Sequence, residues 1–143
     1  MNKFAVLLLA IALSVVALAQ NPVGKWKGSL KIDRAGIPKA QSAEQDKAVK
    51  QMLAQVESAR FSLDMKGNKT FTVDVPSMMG QPAQRSEGTW SQKGNVITMV
   101  TTKQNGKAPK NSQPQSMKID SNGKKMVLVA GNGPQKATIT FVK

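Results

Sequence analysis

The chain has 143 residues, 21 basic and eight acidic, giving a net charge of +13, with no cysteine, histidine or tyrosine. Without cysteine there are no disulfides, no thiolate nucleophile and no lipid-anchored terminus; without histidine the commonest general base and most transition-metal sites are gone. This length suits one ordinary domain, whose stability has to come from an apolar core.

Residues 1–19 read as a secretory leader. Lys3 is its positive start, Phe4 to Leu18 form an apolar stretch broken by Ser14, and Ala17-Leu18-Ala19 is a small-x-small cleavage site. The expected product is secreted or periplasmic, begins at Gln20 and forms a single domain over residues 20–143. Nothing later is apolar enough to span a bilayer.

The first predicted strand, Gly24 to Ile32, alternates cleanly. Trp26, Gly28, Leu30 and Ile32 share one face, and Lys25, Lys27, Ser29 and Lys31 share the other. Asp33 to Pro38 ends it with Gly and Pro. The spacing then predicts one helix over Ser42–Arg60. Ser42 with Gln45 forms a capping pair, Glu44 and Asp46 sit in the first turn, and Val49, Met52, Leu53 and Val56 make an apolar stripe.

After the helix the period returns to two. Phe61, Leu63 and Met65 lead through a Lys66–Lys69 turn to Phe71, Val73 and Val75, and Pro76 to Pro82 is a loop. A strand through Arg85 to Ser91 follows, then a turn at Lys93-Gly94-Asn95 and a strand over Val96 to Thr102. Gln104 to Pro114 is a polar loop. Met117 and Ile119 mark the next strand, Ser121-Asn122-Gly123 a turn, and Met126 to Ala130 another strand. Gly131-Asn132-Gly133-Pro134 turns into a last strand through Ala137, Ile139 and Phe141. Eight short strands with regular turns, and one amphipathic helix between strands 1 and 2, predict an all-β fold, a barrel or a sandwich. Eight strands suffice for closure, leaving a lumen that side chains or one small ligand can fill.

Two Gly-x-Trp segments, Gly24-Lys25-Trp26 and Gly88-Thr89-Trp90, each set a gap beside a large ring on one strand face. Val23-Gly24-Lys25-Trp26-Lys27-Gly28, the hairpin Phe61 to Phe71, and Glu87-Gly88-Thr89-Trp90-Ser91 leading into Gly94-Asn95-Val96-Ile97 give the chain a likeness to a known family. In that order it resembles the calycin superfamily, in particular small bacterial lipocalin-like domains. The resemblance spans most of residues 22–143. It implies an eight-stranded antiparallel up-and-down barrel, lipocalin-like, that carries an apolar ligand. A helical insertion after strand 1 is similar to the fatty-acid-binding branch, where helices cap the barrel mouth. This chain has one predicted helix where that branch has two, and no tyrosine with which to grip a carboxylate.

The carboxylates Asp33, Glu44, Asp46, Glu57, Asp64, Asp74, Glu87 and Asp120 fall mostly on wet faces or in turns and offer no acid pair. Glu87 stands beside Gly88 near the second tryptophan. No Gly-x-Ser-x-Gly or Ser-x-x-Lys motif is present, so a non-enzyme is expected, without cofactor or metal. Trp26 and Trp90 admit two roles, plugs of a narrow end or walls of a cavity. The methionines likewise either fill the core or line an adaptable cavity. The ligand-wall and lid set is Trp26, Leu30, Val49, Met52, Leu53, Val56, Phe61, Leu63, Phe71, Met78, Met79, Trp90 and Met99. The expected function is non-catalytic binding of a small apolar or amphipathic molecule in the barrel, with no oligomer implied. The alternative is a barrel platform whose loops Pro76–Gln84 and Gln104–Pro114, or lysine-rich face, meet an envelope protein or anionic polymer. The lysines are dispersed along strands and turns, which reads first as a solubilising surface. Too few aromatics are present for a base-stacking platform, so nucleic acid is not expected.

Overall fold

A computed structural model describes residues 20–131 and 136–143. The expected leader, 1–19, and most of the turn expected at 131–134 lie outside the described residues. The elements are β1 (Gly24–Ile32), a 3-10 turn (Arg34–Gly36), α1 (Ala43–Ser58), β2 (Arg60–Met65), β3 (Thr70–Val75), β4 (Gln84–Lys93), β5 (Val96–Gln104), β6 (Gln115–Ile119), β7 (Lys125–Ala130) and β8 (Ala137–Val142). Each strand pairs antiparallel with the next, and β8 returns to β1, closing an eight-stranded barrel. No helix among the described residues is long and apolar enough to cross a membrane.

Local chemistry sets the boundaries. The Ser42 hydroxyl accepts from the Gln45 amide at 3.2 Å, so the helix starts one residue later than the spacing predicts, with Ser42 as its cap. The Gln45 side chain reaches back to the amide of Gln41, not to that of Ser42. Ala59 turns extended and ends the helix before the predicted Arg60, which opens β2 instead. Leu53 and Val56 are the buried face of α1, which packs on β1.

Antiparallel succession sorts the connections into two ends. Those following β2, β4 and β6 are short turns, at the same end as residues 20–23. Those following β1, β3, β5 and β7 gather at the other end and include α1 and the longer loops. We call these the turn end and the loop end. Cross-strand register puts Trp26, Leu63, Phe71, Gly88 and Trp90 on the inner face with Ile97, Met117, Met126 and Phe141. These nine residues are buried, and all but Gly88 belong to one continuous apolar core.

Two glycines let the wall close. A β-carbon on Gly88 would collide with the Val100 carbonyl oxygen, beside a bulge between Glu87 and Gly88. There one backbone passes directly over its neighbour, which only glycine permits. At Gly28 the same carbon would stand 2.6 Å from the Phe141 ring, so the missing side chain is the space that ring occupies.

Candidate functional site

The turn end is solid. Trp26 is 1% exposed, and its indole N–H donates to the Pro22 carbonyl at 2.8 Å. Trp90 is 4% exposed, and its N–H is shared between the Lys66 and Thr70 carbonyls at 3.1 Å each. Each ring therefore fixes a neighbouring segment of backbone. The ammonium groups of Lys69 and Lys143 lie over the Trp90 and Trp26 rings, 4.1 and 4.8 Å from their centroids, as cation–π contacts. Leu63 and Phe71 are buried in the same cluster, as is Phe61, although it stands at the loop-end start of β2. Five of the expected wall residues (Trp26, Phe61, Leu63, Phe71 and Trp90) therefore sit in a packed floor.

The loop end differs. Inward-facing Leu30, Val73, Val75, Leu128 and Ile139 pack on the floor yet stay half-buried, as does Met99. Leu53 and Val56 of α1 are buried but stand outside the continuous core cluster. A layer of half-buried aliphatic groups thus lies on the loop-end side of the floor. The inner face here also carries neutral polar groups: Gln84 and Ser86 on β4, and Thr101 on β5. Alternation from Gly88, Trp90 and Ile97 gives those three positions directly, although they are absent from the expected wall.

The wall has a seam on this side. Met99 is the last β5 residue paired with β6, opposite Gln115, although β5 continues to Gln104. The short β6 joins β7 through Lys118–Val127 and Ile119–Met126, whereas Leu128 to Ala130 pair with β8. The upper parts of β5 and β7 are therefore not bridged by a strand. The following loop supplies a partner for one β5 carbonyl, with Ser112 donating to Thr101 at 2.6 Å.

Met78 and Met79 part company at a two-residue turn. Met79 and Gly80 both have positive φ, 51° and 73°, and Met78 and Gln81 exchange backbone bonds of 3.1 and 2.9 Å. Met78 folds against the core, while Met79 is 55% exposed. Both line an open groove of about 900 Å³ between the last turn of α1 and the β3–β4 loop. Arg60 also lines it, but its guanidinium is held by the Glu57 and Ala59 carbonyls. Met52 stands at the edge of the helical stripe and is 40% exposed, one step of about 100° from Leu53. Val49 faces a separate cleft of about 520 Å³ under the first turns of α1.

No family model and no curated protein matches the chain. The site is read on its geometry alone. Among the described residues no cluster of acidic side chains could hold a metal ion. Glu87 is about half exposed and 3.8 Å from Arg85, an ordinary surface pair. The loop end offers an apolar surface with neutral hydrogen-bonding groups on one side.

Proposed function

We propose that this protein is a non-catalytic, lipocalin-like binding protein that takes a small amphipathic molecule at the loop end of its barrel. In this reading residues 1–19 export the chain and are then removed. The observation that carries the proposal is the contrast in burial along one continuous inner face. Most inward-facing apolar side chains toward the turn end are sealed, five aliphatic ones toward the loop end are half-buried, and α1 packs on β1 without joining the core. Leu30, Val73, Val75, Leu128 and Ile139 would contact the apolar part of the guest. Gln84, Ser86 and Thr101 would hydrogen-bond its head, and the seam between β5 and β7 would admit it. Affinity would come from desolvating those aliphatic groups at about 25 cal/mol per Å², less the cost of ordering the guest.

A fluorescent monoacylglycerol is the test probe. The purified protein is expected to bind it near micromolar, about −8 kcal/mol. Leu128→Trp, which fills the half-wet layer, is expected to weaken binding by about tenfold or more. No saturable binding at about 100 μM, or equal binding by Leu128→Trp, would overturn the reading.

A further inference from the structure

The outer face of β1–β4 carries a concave surface outside the barrel, separate from the binding site proposed at the loop end. Its volume is about 550 Å³. Strand register builds it from two parallel rows. One runs Lys25, Asp64, Thr72 across β1, β2 and β3; the next runs Lys27, Ser62, Asp74, Arg85 across β1 to β4. Three inter-strand steps of about 4.8 Å make the longer row roughly 14 Å. Lys66 lines the groove from the turn after β2, and Thr72, only 7% exposed, lies at its base.

The charges in this groove are largely uncommitted. Among the described residues Lys25, Lys27 and Lys66 form no ion pair, although Lys25 is directly opposite Asp64 in register. Arg85 is divided between Asp74 and Glu87, 3.8 Å from each. Cations thus alternate with carboxylates and hydroxyls along a shallow channel. A partner bearing both negative charges and hydroxyl donors satisfies such a pattern.

We propose that this outer groove binds a segment of an acidic polysaccharide. Its carboxylates lie against Lys25, Lys27 and Lys66, and its hydroxyls donate to Asp64 and Asp74. Three other polyanions fit less well. A single-stranded nucleic acid needs exposed aromatic faces for stacking, and both tryptophans are buried in the floor. An anionic bilayer presents a flat surface, whereas this one is concave, with Val142 its exposed large apolar group. An acidic peptide carries charge but few hydroxyls to meet the two aspartates.

The decisive feature is the sign of the aspartate effect. Binding of an oligogalacturonate to the full chain is measured by calorimetry, with single-stranded DNA and anionic phospholipid vesicles as competitors. Lys25→Ala/Lys27→Ala/Lys66→Ala is expected to weaken binding at least about tenfold. Lys103→Ala/Lys107→Ala/Lys110→Ala removes equal charge from the β5 end and the loop after it, and is expected to leave binding within about twofold. Asp64→Ala/Asp74→Ala is expected to weaken binding, because hydroxyl acceptors are lost, although the groove becomes more positive. Tighter binding by that variant would overturn the proposal, since simple charge attraction would then suffice. Equal losses in the two lysine triples, or equal affinity for DNA or vesicles, would also overturn it. All substituted side chains are on the surface, and unchanged tryptophan emission verifies the fold of each variant.

Discussion

The turn end and the loop end of the barrel are made from the same strands with the same alternation, yet one is a solid and the other is half-buried, the cup of the proposed binding site. At the turn end two tryptophans, five methionine or isoleucine side chains and the ring of Phe141 interlock, and both indole N–H groups tie to nearby backbone. At the loop end the inward residues are shorter and partly polar, and β6 stops before it can bridge β5 to β7. The difference shows that closure of a sheet and filling of its interior are separate requirements. Hydrogen bonding closes the cylinder; side-chain volume decides how far up it is filled.

Substitutions at matched positions in the two ends test that contrast. Trp26→Ala should be the most damaging, at about 3–5 kcal/mol in urea unfolding, because nothing nearby can collapse into the space. Leu30→Ala, four residues along the same strand face, should cost only about 1 kcal/mol, since its side chain is already half-wet. Similar losses at both sites would erase the distinction between floor and cup.

Glycines give the next largest effect. Gly88→Ala drives a methyl into the Val100 carbonyl and should cost about 1–3 kcal/mol. Gly67→Ala, in the turn after β2, meets nothing within 4 Å and should stay within about 0.5 kcal/mol of the parent in thermal melts. On α1, Ser42→Ala removes the helix cap and should cost about 1 kcal/mol, read as lost helical circular dichroism on warming. Arg34→Ala breaks only an exposed 3.4 Å pair with Glu57 and should change the melting midpoint least, by about 0.5 kcal/mol or less.

Alternation alone left barrel and sandwich both open, but it was enough to place all eight strands, and the Ser42 cap with its first-turn acids placed the helix. Those signals are local, so sequence carries them. The division of the inner face into floor and cup is not local. Leu30 and Trp26 share the same parity on β1, and only the cross-strand register sets Leu30 in line with half-buried Ile139 and Leu128 and Trp26 opposite buried Leu63. Met78 and Met79 are adjacent, and the positive φ at Met79 is what separates one inward from one outward. The lysine groove was hidden for a related reason. Lys25 and Lys27 belong to β1 and Lys66 to the turn after β2, so along the chain they read as scattered charge, while the rolled sheet sets them around one hollow.

The methionines test the central contrast most directly, because they sample every depth of the molecule. With 13C-methyl methionine, the monoacylglycerol is titrated while methyl resonances are followed by NMR. The account predicts that Met99 and Met78 shift with saturation, while Met65, Met117 and Met126 in the floor do not move. Shifts centred on the floor methionines, or no saturable shift at any methyl group, would contradict a cup open at the loop end.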